Sequence, residues 1–309
     1  MRFPKRARAF TAGLAGVLFG VTGGVACACS VCGCGDPLVV AGDSAPHPQA
    51  LRLALDAEYL TAQAASDDNP RATESVVQST LRPTVVFSPL EAVNWVLQVP
   101  LVRKAWSLQG GEARAATSKG LGDIDLGARW FIWQPVNLQR MQRQELALSA
   151  GSALPTGAAN GQLEGRRLDD HAQLGTGAFA PYLGILYARH RDPWNLTLDV
   201  SGRAHTLSRF DYRYGPALLS SARGTFLVRE GLGLVAGVDG RFAGRDTAGG
   251  FLQQNTGGLV LAAVPGVSVQ LWQGLWFMGR AQLPFFSHLF GRQSLGPVIT
   301  GSLQYAFAQ

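Results

Sequence analysis

The chain has 309 residues, 38 of them glycine, with 16% charged residues and a net charge of +6 at pH 7. The positive excess is scattered arginine, partly within the first eight residues, and no basic patch interleaves with aromatics, so nucleic acid is excluded as an expected partner. The four cysteines all fall between positions 27 and 34, which leaves the remaining chain without a disulfide framework.

The chain opens with Arg2, Lys5, Arg6 and Arg8, followed by an apolar, glycine-rich run from Ala9 through Ala26. A basic start, a short apolar centre and small exit residues form the pattern of a secretory signal peptide. For a membrane helix the run is short and its glycines unfavourable. Ala26-Cys27-Ala28 supplies a cleavage signal, which predicts a signal peptide over 1–28, a periplasmic cysteine-containing segment over 29–50 and a barrel over 51–309. Cys29, Cys32 and Cys34 then have spacings that let thiolates converge on one soft ion, Cu(I) or Zn(II), with Gly33 permitting the turn. A disulfide, or lipid attachment at Cys27 or Cys29, competes with this reading, and spacing alone does not separate them.

From Leu51 onward the pattern changes to a period of two. Leu51, Leu53, Leu55, Ala57 and Tyr59 alternate with Arg52, Asp56 and Glu58. Val77 to Phe87 carries Gln78, Thr80, Arg82 and Thr84 on its polar face, and Trp95, Leu97, Val99 and Leu101 form the next apolar face. Ile124, Leu126, Ala128 and Trp130 oppose Asp123, Asp125 and Arg129; Leu146, Leu148 and Ala150 follow, then Phe179, Leu183, Ile185 and Tyr187. The clearest stretch is Trp194 to His205, where Asn195, Thr197, Asp199, Ser201, Arg203 and His205 separate apolar or small residues. Further strands carry Arg223, then Asp239 and Arg241, then Ser268 and Gln270, then Arg280 and Gln282, and finally Thr300, Ser302 and Gln304.

Such alternation predicts half-buried strands. The longest matches the roughly 9–11 residues of a tilted membrane-crossing strand better than the 5–6 of a soluble sandwich. Connections alternate between short turns and longer polar segments at 61–75, 105–122, 155–176, 206–216, 243–257 and 286–296, with 134–144 intermediate. Trp95, Trp130, Trp133, Trp194, Trp272 and Trp276 all fall beside short turns, as an interfacial aromatic girdle would; only Trp106 does not. The expected fold class is all-β: a transmembrane antiparallel up-and-down barrel of about 12 strands. Its short turns and N-terminus are expected on the periplasmic side of a Gram-negative outer membrane, with that membrane's lipid around it.

The chain resembles outer-membrane proteins of the phenol-degradation meta-pathway type through Gly120-Leu121-Gly122-Asp123-Ile124-Asp125-Leu126 and Leu154-Pro155-Thr156-Gly157. The resemblance implies a membrane channel, with hydrophobic compounds among the candidate solutes, and carries over no catalytic residue. The chain departs from a typical barrel ending in the Ala308-Gln309 that follows Phe307, and in the added cysteines.

On the expected inner face stand Arg52, Asp56, Glu58, Arg82, Asp123, Asp125, Arg129, Asp199, Arg203, Arg223, Asp239, Arg241 and Arg280. They predict either a polar conduit or a salt-bridged filling of a narrow barrel, the latter for most pairs. An enzyme would need a serine beside an oriented histidine, and neither His205-Thr206-Leu207-Ser208 nor Ser287-His288 carries a nucleophile motif. His47, His171 and His190 are expected to be solvated. The expected function is a non-enzymatic channel or transporter for a small solute. The alternative is a copper-handling or redox-linked membrane protein acting through the cysteine cluster.

Overall fold

The structure, a computed structural model, describes residues 51–65, 72–110 and 114–307. The signal peptide, Cys29, Cys32, Cys34, His47 and Ala308-Gln309 lie outside these residues.

The period-two alternation becomes a ladder in which each strand pairs antiparallel with the next. The strands are β1 (Leu51–Ala65), β2 (Thr73–Leu90), β3 (Val93–Gln98 and Leu101–Gln109), β4 (Arg114–Leu121 and Ile124–Trp133), β5 (Gln142–Leu154) and β6 (Ala180–Arg191). They continue as β7 (Trp194–Arg203), β8 (Ala217–Arg229), β9 (Leu232–Ala243), β10 (Gly258–Ala263 and Gly266–Trp272), β11 (Leu275–Leu289) and β12 (Gln293–Leu295 and Val298–Ala306). β12 returns to β1, pairing Ala306 with Arg52 and Ile299 with Tyr59, so the 12 strands close into a barrel. Three of the four two-segment strands are interrupted next to Pro100, Pro265 and Pro297, where the missing N–H breaks the ladder. The fourth breaks at Gly122, where a Cβ would lie 2.9 Å from Val102 Cγ2.

The burial of the two faces is reversed relative to a soluble sandwich. Leu53, Leu55, Leu97, Leu126 and Leu198 are exposed, whereas Asp56, Arg82, Arg129 and Asp199 are buried. A wall with an apolar outer face and a polar inner face is what a lipid environment requires, and closing the ladder leaves no open sheet edge. Trp95, Trp130, Trp133, Trp194 and Trp272 are exposed near the short-turn end; Trp106 points inward and is buried.

The strands run further at the long-loop end than the alternation predicts. Residues 105–122 are not a long loop: β3 continues to Gln109, β4 begins at Arg114, and Leu108 pairs with Arg114. β2 begins at Thr73 and β11 extends to Leu289. Beyond the lipid band, a strand's outer face no longer needs apolar residues. The backbone ladder persists there while its sequence signature fades.

Candidate functional site in the barrel lumen

The inner face brings several of the alternating polar residues together as paired charges. Arg82 sits directly opposite Asp56 in the β1–β2 register, and its Nη2 lies 3.6 Å from Glu58 Oε1. Arg203 Nη2 donates to Asp125 Oδ2 at 3.2 Å, while Tyr182 Oη donates to Asp125 Oδ1 at 3.0 Å. Tyr182 has room because Gly127 and Gly151 face it as a cross-strand pair; a Cβ on either would lie within 2.3 Å of its hydroxyl. Arg223 Nη2 reaches Asp239 Oδ2 at 2.8 Å, and Gln282 Nε2 donates to the same oxygen at 2.7 Å. Arg129 is buried and its Nε donates to Ser149 Oγ at 3.3 Å. Arg241 faces the central cavity, Arg280 pairs in register with Thr300, and Arg52 stands near the short-turn end opposite Ala306. At that end Glu145 contacts Arg143 Nε at 2.7 Å and His190 Nε2 at 3.8 Å. Away from water such charges are tolerable only when paired.

Asp123 has a different role. It lies in the break of β4, and its carboxylate accepts N–H groups from Gly157 (2.9 Å) and Thr176 (2.7 Å) and the Thr176 hydroxyl (2.7 Å). These bonds tie the ends of the β5–β6 connection, residues 155–179, to the wall. Lys104, inward on β3, donates to the carbonyls of His171 (3.1 Å) and Gln173 (2.6 Å) in the middle of this connection. Leu168 and Ala172 are buried against Val76 and Trp106. The segment is thus an inward-folded plug. Beneath it lies a cavity of about 200 Å³ whose polar lining includes Arg82, Gln98, Asp125, Arg203, His205 and Tyr214, with Leu60, Val102 and Leu219 among its apolar walls.

A cluster joins the plug to two neighbouring loops. Asp246, in the β9–β10 loop, is fully buried. Its Oδ2 accepts the Tyr212 hydroxyl at 2.7 Å and lies 3.3 Å from His171 Nε2, and its Oδ1 accepts the Gly215 N–H at 2.7 Å. Tyr212 Oη lies 2.9 Å from His171 Nε2, and Tyr214 donates to the Asp170 carbonyl at 2.9 Å. Burial pulls the His171 imidazole down, but its hydrogen bond to Asp246 and the charges of Asp169 and Asp246 outweigh this and hold it at about 9. Burial raises the Asp246 carboxyl, yet the His171 hydrogen bond and charge, with the Gly215 and Tyr212 donors, bring it below its usual range. Burial and the adjacent Arg203 hold His205 down at about 4, so it is neutral at pH 7.

His171 is therefore not solvated as expected: 13% of its side chain is exposed, and its Nε2 contacts both Asp246 and Tyr212. His171, Asp246, Tyr212 and Tyr214 all lie in the connections between barrel strands, where no membrane-imposed periodicity marks them. Ser208 Oγ accepts the N–H groups of Phe210 and Tyr212, each at 3.2 Å, which gives it a turn-forming role. Among the described residues, no group of three or more His, Cys, Asp or Glu is placed to hold a metal.

No protein-family model matches the chain, and no curated protein matches it. Among solved structures, the chain is similar to a COG4313 outer membrane channel from Pseudomonas putida F1, with a TM-score of 0.64, 14% identity, and 86% of this chain and 98% of that one covered. The translocator domain of the autotransporter NalP from Neisseria meningitidis is more distant: TM-score 0.45, 13% identity, coverage 88% and 93%. The CymD monoaromatic hydrocarbon channel has a TM-score of 0.39, 8% identity, and coverage of 85% and 89%. Along nearly its whole described length, the chain shares the barrel fold of an outer-membrane channel.

Proposed function

We propose that this barrel is an outer-membrane channel for a small solute, with its short turns in the periplasm and its plugged mouth outside. The observation that carries the proposal is the cavity under the plug, enclosed by a wall that is apolar outside and charged inside. The plug is held by side-chain contacts from Asp123, Lys104 and Asp246, so it is removable without unfolding the wall. A cavity of about 150 Å³ is enough to hold benzene, so about 200 Å³ suits a molecule of single-ring size. The mixed lining favours a solute with an apolar body and a polar group. No chemical step is assigned to the protein.

The test is flux of small aromatic alcohols and acids into liposomes containing the purified full chain. Expected is flux that increases when residues 160–172 are replaced by a short glycine-serine linker. Absence of flux from both proteins would overturn the channel. Sidedness is read separately on intact cells, where cysteine introduced at the exposed Asn160 should label and cysteine at Asp192 should not. The reverse pattern would overturn the orientation.

A further inference from the structure

Away from the short turns, the outer face of the described strands carries Arg or Lys at one place. Arg103 on β3 and Lys119 on β4 face outward, both exposed, directly opposite each other in the register. Like charges directly opposite across a ladder repel, and cations on a lipid-facing wall are costly unless they lie near an interface. Among the described residues, neither side chain forms a hydrogen bond or ion pair. Their outward neighbours along the same row are Ser79, Tyr59 and Ile299, none of which is acidic.

The height of the pair accounts for its presence. Arg103 is eight residues beyond the girdle residue Trp95 on the same strand. At about 3.3 Å per residue and a tilt of about 40°, it stands roughly 20 Å above that girdle, near the far edge of a lipid band about 25 Å tall. Beside the pair an open groove of about 820 Å³ runs over the outer wall, floored by Ala57, Leu81, Leu101, Ile299 and Gly301. Small residues at Ala57 and Gly301, paired across β1 and β12, leave the depression.

We propose that Arg103 and Lys119 seat a phosphate of the outer leaflet's phosphorylated glycolipid, with one of its acyl chains lying in the groove. This rests on the orientation proposed above, which puts the pair at the outer leaflet. One bridging anion relieves the repulsion and satisfies both cations, and the groove supplies an apolar surface directly below it. The site faces lipid and is separated by the barrel wall from the lumen, so it is distinct from the solute path.

The experiment is native mass spectrometry of the full chain released from detergent micelles, titrated with diphosphoryl lipid A, phosphatidylcholine or inorganic phosphate. The variants are Arg103→Ser with Lys119→Ser, and Arg103→Lys; unchanged heat-modifiable migration on gels establishes that each is folded. Wild type and Arg103→Lys should retain lipid A, and the double variant should bind it at least about tenfold more weakly, as loss of paired charge-assisted contacts requires. Equal retention by the double variant overturns the site. Equal retention of phosphatidylcholine by wild type overturns selectivity for the anion, and equal binding of inorganic phosphate overturns the lipid as its source. Micelles have no sidedness, so these failures leave the channel and its orientation standing, whereas inverted surface labelling overturns the outer-leaflet assignment even where lipid A binds.

Discussion

Replacing Asp246 with Asn should release the plug at neutral pH. Asp246 is fully buried, and its neighbour His171 is held at about 9, against 6.5 for a free imidazole. At about 1.4 kcal/mol per tenfold change, that rise corresponds to roughly 3 kcal/mol favouring the docked plug, or about two powers of ten in the released fraction. Loss of one member of a buried pair typically costs about 3–5 kcal/mol, which agrees. For a histidine raised on docking, the stabilisation is fully present below pH 6.5 and is lost as pH rises through about 9. For Asp246, whose carboxyl is lowered, it is present above the ordinary carboxylate range and lost as pH falls through the depressed value. Single-channel conductance in a planar bilayer reads the outcome. Wild type should conduct least at neutral and mildly acidic pH and rise as pH passes about 9. Asp246→Asn should conduct more than wild type at pH 7, and His171→Gln should lose the alkaline transition. If all three proteins share one flat profile between mildly acidic and alkaline pH, the His171–Asp246 contact does not hold the plug.

Three other outcomes follow from the wall and the N-terminal segment. Leu198→Arg faces lipid about 10 Å above Trp194 and should cost about 2–4 kcal/mol in urea refolding into vesicles, whereas Asp199→Asn should cost far less; equal effects would mean that the faces are misassigned. Gly151→Val would drive a side chain into the Tyr182 hydroxyl and the Leu126 carbonyl, and should lower the barrel's heat-modification temperature more than Gly202→Val, whose Cβ position is open. The reduced peptide spanning residues 29–37 should bind Cu(I) if its three cysteines are ligands; no binding at micromolar Cu(I) leaves a disulfide or a lipid anchor as their role.

The barrel was legible in the sequence because a lipid-facing strand has to declare itself at every second residue. Trp194 to Arg203 alternates without a fault, and each such strand fixes its own inner and outer face by parity alone. The tryptophans located the short-turn edge for the same reason, since indole is selected by its depth in the membrane. Above the lipid band that requirement lapses, so the outer halves of β3 and β4 read as loop although they are paired strand. Parity put Arg82, Asp125, Arg203 and Asp239 inside the barrel, but it could not supply their partners. Those depend on strand register and closure, which set Arg82 opposite Asp56 and brought Arg203 of β7 to Asp125 of β4. The plug was the least legible part. Its contacts join residues such as His171 and Asp246, which are far apart in sequence and lie in aperiodic loops. Only the ring of strands brings those loops to a common mouth, where burial makes an ion pair between them decisive.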